Sequence, residues 1–356
     1  MSTERYDVIV IGGGQAGLAT GFHLASRGVR FVILEAEDRV GESWRRRWDS
    51  LRVFTAAKYD TLPGMRFPAP AHSFPTKDQV ADFLETYARE MSLPVRTGVR
   101  IDCLRRTDSG YVAMAGTDAY EAPQVVVATG AYHEPMVPEY AAELRPDVLQ
   151  LHSSEYRNPA QLQSGPVLVV GAANSGGEIA LDVARDHETW LSGRDVGSLP
   201  FELESRISKI LDVGIWFAFN HILTMRTPIG RKARPSVQRH GTPLERARPK
   251  HLAAAGVHRV VARTVGVEEG LPVLDDGQVL DVRNVVWATG FRHAYPWIDL
   301  PITDADGWPV HERGVSTAAP GVYFVGLPFQ YAVTSALIGG VGRDARYVVD
   351  RLVARR

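Results

Sequence analysis

The sequence has very few cysteines and no excess of charge of one sign. It has one cysteine in 356 residues, Cys103, so a disulfide within the chain and a C-x-x-C redox pair are both excluded. Its 40 basic residues are balanced by 41 acidic ones, for a formal net charge of −1 at pH 7. The overall charge therefore draws the chain neither to nucleic acid nor to an anionic membrane. No metal site is predicted.

Long hydrophobic runs are also missing. The longest apolar stretch, Ile215–Leu223, is interrupted by Asn220 and His221 and is too short to span a bilayer. The first predicted strand follows almost directly on the N-terminus, which leaves no room for a signal peptide. We therefore expect a cytoplasmic protein, and its length predicts about two domains.

The sequence does contain a phosphate-binding pattern near its start. Val8–Ile11 predicts a strand buried on both faces, and Gly12, Gly14 and Gly17 follow it as G-x-G-x-x-G. The first glycine allows a tight turn, the second lets the backbone approach a pyrophosphate, and the third lets a helix pack on the strand. Glu35 ends a second apolar strand, where a carboxylate accepts hydrogen bonds from a ribose diol. This order of elements predicts a dinucleotide site.

A second copy of the pattern, G-x-A-x-x-G, runs from Gly171 to Gly176. Two such units predict two dinucleotide sites. The residue that corresponds in spacing to Glu35 is Arg194, and an arginine favours a 2′-phosphate where an acid favours a free hydroxyl. The first site should therefore take FAD or NAD. The second should take NADPH, with the Ser192 hydroxyl assisting and with NADH as an alternative coenzyme.

Between Pro200 and Arg248 the pattern departs from that of a dinucleotide-binding domain. Ile207–Leu223 is strongly apolar and Arg226–Arg248 is basic, so we predict an insertion of one or two helices followed by a mobile arm. The insertion could form a lid or substrate tunnel, a partner surface or a purely structural element. The residues alone leave these three roles open.

Taken together, these motifs resemble the class B flavin-containing monooxygenases, especially the short bacterial ones. The resemblance covers essentially the whole chain. Beyond the two glycine loops it rests on Gly41–Arg45, on the A-T-G segments that end at Gly130 and Gly290, and on Leu51–Thr55 ahead of Leu62-Pro63-Gly64.

The family's F-x-G-x-x-x-H-x-x-x-(W/Y/F) fingerprint is matched in its second half. His152 and Tyr156 fit it, whereas Pro146 and Val148 stand where the family has Phe and Gly. The family's active-site Asn has no clear equivalent in the segment Ala56–Asp60. An NAD(P)H reductase or oxidase without oxygen insertion is therefore an alternative function.

The resemblance implies an α/β fold with two Rossmann-like dinucleotide-binding domains, as in glutathione-reductase-like flavoproteins. The smaller NADPH domain would be inserted in the FAD domain. The expected boundaries are 1–155 for the first part of the FAD domain, 156–282 for the NADPH domain with its insertion near 200–248, and 283–356 for the second part of the FAD domain. A homodimer is compatible with this arrangement.

The resemblance also implies a reaction. NADPH would reduce FAD, and the reduced flavin would add oxygen to form a C4a-(hydro)peroxyflavin that oxygenates a small organic substrate. S-oxidation, N-oxidation and Baeyer–Villiger insertion are the expected outcomes. Because the redox chemistry belongs to the flavin, no catalytic side chain is assigned and His152 is expected to act as a structural hinge residue.

The expected cofactor contacts lie in the glycine loops, at the ends of strands and at the start of the last helix. For FAD they are Gly12, Gly14, Gln15, Ala16, Gly17, Glu35, Ala36, Ser43, Trp44, Arg45, Val99, Ala128, Gly130, Gly326, Ser335 and Leu337. For NADPH they are Gly171, Ala173, Asn174, Ser175, Gly176, Ser192, Arg194, Thr289 and Gly290.

Overall fold

The computed structural model describes residues 3–199, 201–240 and 243–355. Pro200, Gly241 and Thr242 belong to the predicted insertion and lie outside the described residues. The helices are α1 Gln15–Ala25, α2 Glu42–Arg45, α3 Lys77–Glu90, α4 Asn174–Val183, α5 Arg206–Phe217, α6 Pro228–His240, α7 Pro249–Ala254 and α8 Ile338–Val353. The strands are β1 Thr3–Arg5, β2 Val8–Ile11, β3 Phe31–Leu34, β4 Val95–Arg96, β5 Cys103–Thr107, β6 Gly110–Ala115, β7 Asp118–Ala122, β8 Gln124–Val127, β9 Glu134–Pro135, β10 Leu149–His152, β11 Val167–Val170, β12 Thr189–Ser192, β13 His258–Val260, β14 Thr264–Glu268, β15 Leu271–Leu274, β16 Asn284–Trp287, β17 Phe291–Arg292, β18 Ile298–Asp299, β19 His311–Glu312, β20 Val315–Ser316 and β21 Val322–Phe324.

A seven-stranded sheet of order β19-β20-β21-β8-β2-β3-β4 forms the centre of the first domain. Alternate residues of β2 face different layers. Val8 and Val10 belong to a core cluster with α1, α3 and α8, while Ile9 and Ile11 pack in a cluster with the β5–β7 sheet. Every residue of β2 is buried, which explains why the strand reads as a continuous apolar run rather than an alternating one.

The second domain is built on a parallel sheet of order β10-β16-β11-β12-β13. The buried strand β16 lies between β10 and β11. The predicted boundaries placed β10 and β16 in the FAD domain, which is wrong because both pair with β11 or with each other in the second sheet. The expectation of two dinucleotide-binding domains in an α/β fold is confirmed.

Helix α3 carries the carboxylates of Asp82 and Glu85, which bind the guanidinium of Arg45 in α2. Its N-terminus is closed by a capping box, in which the Thr76 hydroxyl accepts from the Gln79 amide and the Gln79 side chain accepts from the Thr76 amide. Such a cap satisfies two otherwise unpaired donors of the first turn. Thr76 is the N-cap residue of α3.

Within the described residues, the predicted insertion at 200–248 contains two helices, α5 and α6, and a π-helical turn at Ala218–Ile222, and α7 begins directly after it. Residues 228–240 of the predicted arm are helical despite Pro235. Across the described ranges, no helix combines the length and hydropathy needed to cross a bilayer.

Candidate functional site

The first glycine loop closes against the strand that ends in A-T-G. Gly12 has φ +105°, and a Cβ there would lie 2.6 Å from the Ala128 carbonyl oxygen. A Cβ at Gly17 would overlap the Gly12 carbonyl. At Gly14, by contrast, no described atom lies within 4 Å of the added Cβ. Gly12 and Gly17 are therefore required for packing, whereas Gly14 faces open space, as a position approached by a pyrophosphate must.

Helix α1 begins directly behind this open space. Gly14 is its N-cap residue, and within the described part of the chain no side chain caps the helix. Its first turn contains no acidic residue, so the free amides and the positive end of the helix dipole are available to an anion. These residues fit the pyrophosphate of a dinucleotide.

Glu35 is held at the end of β3 beside the same loop. Its Oε2 accepts from the Gly13 amide at 2.6 Å and its Oε1 from the Glu37 amide at 3.0 Å. The Val99 amide donates to the Glu35 carbonyl at 2.8 Å, and Ala36 is half-buried next to it. The carboxylate is thus placed at the edge of the loop, where the ribose hydroxyls are predicted to bind.

The start of α8 meets the start of α1. Gln15 Nε2 donates to the Ala336 carbonyl at 3.2 Å, and a Cβ at Gly326 would lie 2.8 Å from the Ala16 Cβ. Leu337 is the N-cap residue of α8, and among the described residues no side chain caps this helix. Two helix N-termini therefore converge on the first site, although Leu337 and Gly326 are far from α1 in sequence.

The prediction that Ser335 contacts FAD is wrong. Ser335 is fully buried, and its hydroxyl accepts from the amides of Tyr331 and Ala332, each at 3.0 Å. Its own amide donates to the Ala332 carbonyl. With no exposed surface, Ser335 shapes the turn before α8 rather than touching a ligand.

The side chain of Arg45 is also used within the protein. Its guanidinium donates to the Val40 carbonyl at 2.7 Å and to Asp82 and Glu85 at 2.9 Å each. These bonds tie the 41–45 turn to α3. Ser43 is exposed on this turn and Trp44 is half-buried, so Arg45 is a positioning residue and its predicted direct contact with FAD does not involve a free guanidinium.

The second glycine loop repeats the geometry of the first. Gly171 has φ +104°, and an added Cβ would overlap the Ala288 carbonyl oxygen. A Cβ at Gly176 would overlap the Gly171 carbonyl. Ala173 takes the place of the second glycine as N-cap of α4 with an extended backbone at φ −84°, a conformation that alanine adopts without strain. Ser175 is half-buried in the first turn of this helix.

Two predicted NADPH contacts, Ser192 and Arg194, lie at the end of β12. Ser192 is fully buried, and its hydroxyl donates to the Ala262 carbonyl at 2.8 Å, so its predicted contact with NADPH is wrong. Arg194 is exposed, and it forms no ion pair with any residue that the structure describes. The Asp195 carboxylate accepts from the Gly197 amide at 2.8 Å and so closes its own turn. The Arg194 guanidinium is therefore available to a phosphate.

Asn174, Thr289 and Gly290 connect the second site to its surroundings. The Asn174 side chain bonds to the Pro243 carbonyl and the Glu245 amide, so a contact with NADPH would use its backbone. The Thr289 hydroxyl donates to the Met136 carbonyl. Gly290, with φ +88°, accepts from the Met136 amide at 3.0 Å. These bonds fix the second A-T-G turn at the crossing between the two domains.

His152 is part of the same crossing. Its Nε2 lies 3.0 Å from the Gly290 carbonyl and its Nδ1 lies 2.8 Å from the Ser154 hydroxyl. Burial lowers the pKa of this imidazole, so the neutral form is favoured. The geometry agrees with a hinge residue rather than with a proton donor.

Sequence reasoning missed a buried carboxyl near the start of α8. Asp60 is 1% exposed, and its Oδ1 accepts from the Thr55 hydroxyl. Its Oδ2 has no hydrogen-bond partner among the described residues, and burial raises the pKa of Asp60 to about 7. The preceding carbonyl, that of Tyr59, packs against Gly339 in the first turn of α8. No local pattern marks this residue, because Lys58 and Thr61 on either side make the segment look like an ordinary polar loop.

A second missed residue is Arg47, at the meeting of the two A-T-G turns. Its guanidinium lies 5.2 Å from the Tyr132 ring centroid and 5.9 Å from that of Phe291. Burial lowers the pKa of Arg47, and within the described ranges no carboxylate pairs with it. A half-buried, uncompensated cation at the domain crossing fits an anionic group of a bound ligand.

A cavity of about 410 Å³ opens next to these elements. Asn220 in the π-helical turn accepts from the Thr334 hydroxyl at 2.9 Å, which places the cavity above the start of α8. Its lining is mainly aromatic and aliphatic, and consists of Lys58, Tyr59, Val213, Trp216, Phe217, Asn220 and His221.

Two glycine cradles, each at the carboxyl end of parallel strands, define a flavoprotein-type oxidoreductase with two dinucleotide-binding domains. The family model for pyridine nucleotide-disulphide oxidoreductases matches residues 9–196, which is more than half of the chain. The chain belongs to this family and, within it, to the class B flavin-containing monooxygenases.

Relatives of several kinds support this assignment. An uncharacterized CzcO-like oxidoreductase of Geobacillus kaustophilus is 39% identical over 98% of both chains. The structure of a flavin-containing monooxygenase from Stenotrophomonas maltophilia is similar with a TM-score of 0.78 and 27% identity, over 99% of both chains. The rice indole-3-pyruvate monooxygenase YUCCA1 is 33% identical over 50% of this chain and 45% of its own.

Proposed function

We propose that this protein is a FAD- and NADPH-dependent monooxygenase that oxygenates a small organic substrate. The observation that carries the proposal is the contrast between two equivalent cradles. One ends in the anchored carboxylate of Glu35 and the other in the exposed guanidinium of Arg194. The similarity to a flavin-containing monooxygenase over 99% of both chains supports oxygen insertion as the outcome.

Bound FAD would supply the redox chemistry, as hydride acceptor from the nicotinamide and electron donor to dioxygen. The protein contributes position and charge. The N-terminal amides of α1 bind the pyrophosphate, and Glu35 accepts from the ribose hydroxyls. The uncapped N-terminus of α8 stabilises negative charge on the pyrimidine edge of the ring.

The second dinucleotide site distinguishes NADPH from NADH by charge. Arg194 pairs with the 2′-phosphate of NADPH, because neither Asp195 nor another described carboxylate occupies its guanidinium. The N-terminal amides of α4 bind the pyrophosphate, and the A-T-G turn at Gly290 borders the nicotinamide end. The Arg47 guanidinium faces this crossing and supplies a further positive charge for the coenzyme.

The insertion partly covers the space above the start of α8, which stays open to solvent on the side of Val213 and Phe217. Trp216 of α5 stacks on Tyr59 with ring centroids 4.6 Å apart, and Asp212 pairs with Lys58 at 2.7 Å. The cavity between them is mostly apolar. A substrate with an apolar or aromatic body and a soft sulfur, nitrogen or ketone centre fits this lining best.

A second candidate, a reductase or oxidase without oxygen insertion, is favoured by one specific observation. The family's active-site Asn has no equivalent in Ala56–Asp60, where the buried Asp60 stands instead. A reductase that uses its own dithiol is excluded by the single cysteine. The acceptor would then be an external quinone, metal or protein.

One rapid-mixing experiment separates the two candidates. The holoenzyme is reduced with NADPH and mixed with oxygenated buffer while the flavin absorbance is followed. Monooxygenation predicts a long-lived spectrum that matches neither reduced nor oxidised flavin. A direct return to oxidised flavin with one hydrogen peroxide per flavin would overturn the proposal. The control is the same enzyme reduced with dithionite in the absence of NADP⁺, for which a shorter lifetime is expected.

A further inference from the structure

We propose that the insertion docks the protein on an anionic lipid surface through helix α5. Five large apolar side chains of this helix are exposed, by 62% for Ile207, 78% for Ile210, 47% for Leu211, 64% for Val213 and 57% for Phe217. Their spacing places them on one side of the helix. We call this set the α5 apolar face.

The opposite side of α5 is the one that packs on the protein. Trp216 stacks on Tyr59, Asp212 pairs with Lys58, and Ser208 is buried. The helix is therefore held in place and presents its apolar residues outward. A contiguous apolar patch on one element marks an interaction site, whereas single exposed apolar residues do not.

The charge around the α5 apolar face is positive. Between residues 202 and 238 there are six basic residues and three acidic ones, Glu202, Glu204 and Asp212. Each of these acids faces a cation outside this range: Glu202 pairs with Lys250, Glu204 lies 3.7 Å from Arg246, and Asp212 pairs with Lys58. This is a local feature, because the whole chain has a formal net charge of −1. The exposed cations are Arg206, Lys209, Arg226, Arg231 and Lys232.

Apolar side chains bordered by cations match a membrane interface of anionic lipids. Acyl chains accept the apolar residues, while lipid phosphates pair with the lysines and arginines. A second copy of the chain fits less well, because a two-fold contact repeats the same patch on both sides. It would bring the cations of α5 close to those of its mate, while the acids at positions 202, 204 and 212 already face other cations.

Docking in this way would connect the membrane to the cavity. Val213 and Phe217 belong to the α5 apolar face and also line the cavity. An apolar substrate dissolved in the bilayer would thus reach the cavity without crossing water. The docking itself does not depend on the proposed oxygenation, so the test below measures binding and not turnover.

The test is co-sedimentation of the full-length holoprotein with vesicles of phosphatidylcholine, with and without phosphatidylglycerol. We expect binding to the anionic vesicles only, with a marked loss in high salt because exposed charges are screened. The double variant Ile207→Ser/Ile210→Ser should lower the partition coefficient about tenfold or more. Arg206→Gln/Lys209→Gln should lower it for anionic vesicles by a similar factor.

Matched controls lie elsewhere on the surface. Val265→Ser removes another exposed apolar side chain, and Arg105→Gln removes another exposed cation; both should bind like the unchanged protein. Retained FAD absorbance and circular dichroism show that the α5 variants are folded. Equal partition of the protein and its α5 variants would overturn the proposal. So would a dimer in sedimentation analysis that the α5 variants abolish while vesicle binding is absent.

Discussion

At the scale of single residues, the two dinucleotide sites differ most at the ends of β3 and β12. Glu35 is anchored by two backbone amides, while Arg194 is exposed and its neighbour Asp195 is bonded to the Gly197 amide. An anchored acid repels a 2′-phosphate and a free arginine attracts one. Coenzyme choice should therefore depend on one side chain.

Arg194→Ala should weaken the binding of NADPH and leave the binding of NADH nearly unchanged. Loss of a charge-assisted hydrogen bond costs about 1.5–3 kcal/mol, so the KM for NADPH should rise roughly 10- to 100-fold. Steady-state kinetics with both coenzymes measure this, and Arg105→Ala in the other domain serves as the control. An equal loss for NADPH and NADH would remove the assigned role in 2′-phosphate recognition.

Asp60 should make stability depend on pH. Burial raises its pKa to about 7 in the folded state, whereas an unfolded aspartate has a pKa of about 3.9. The neutral form is therefore favoured by folding. Its stabilising contribution is complete below the unfolded pKa and is lost as the pH rises towards and through the folded one.

The free energy of unfolding should fall between about pH 4 and about pH 7, and the part of this fall that is due to Asp60 is on the order of 4 kcal/mol. Asp60→Asn should remove that part. Urea unfolding of protein and variant across this range measures the difference. Glu178, whose pKa burial also raises to about 7, contributes a slope of the same sign to both proteins, so the comparison isolates Asp60. Identical slopes in the two proteins would contradict the assignment.

At the scale of elements, each cradle is a strand, a turn and a helix held together by glycines with different tasks. Gly17 lets α1 pack on the turn, because an added Cβ would overlap the Gly12 carbonyl. Gly14 has open space around it and a backbone φ of −76°, which alanine also adopts. The two positions therefore separate folding from ligand binding.

Gly17→Ala should destabilise the apoprotein by about 1–3 kcal/mol through overpacking and should also impair FAD retention. Gly14→Ala should leave the apoprotein as stable as before but reduce FAD retention, because its methyl group occupies the space of the pyrophosphate. Thermal unfolding of the apoproteins and FAD content after purification give the two readouts. A strong loss of apoprotein stability in Gly14→Ala would show that this space is not open.

At the scale of the whole molecule, the space above α8 is bordered by parts of both domains. Helix α5 reaches from the insertion to Tyr59, and Arg246 bonds to the Val53 carbonyl at 2.8 Å and lies 4.7 Å from the Phe74 ring. These contacts join the second domain to the long loop that precedes α3. Access to this space therefore depends on an interface between domains.

Trp216→Ala should loosen the contact of α5 with Tyr59 and increase the hydrogen peroxide released per NADPH consumed. An aromatic stack contributes about 0.5–1.5 kcal/mol, so a rise of roughly two- to tenfold is expected. Trp216→Phe keeps a ring against Tyr59 and should restore most of the coupling. An unchanged peroxide yield in Trp216→Ala would argue against this role of α5.

Both glycine cradles, and the acid or the arginine at their ends, could be predicted from the sequence. These features are local, since each depends on turn conformation or hydrophobic period within a few residues. The family resemblance added the overall fold. The sequence also shows that the insertion contains apolar and basic stretches, but it does not show that they form one surface on α5.

Only the tertiary structure decided which strands share a sheet and which polar groups remain free. Strand β16 belongs to the second sheet because it pairs with β10 and β11. Ser192 and Ser335 are buried and used by neighbouring backbone, and Arg45 is bound to Asp82 and Glu85. Such outcomes depend on partners distant in sequence, and a local pattern carries no information about which donor meets which acceptor.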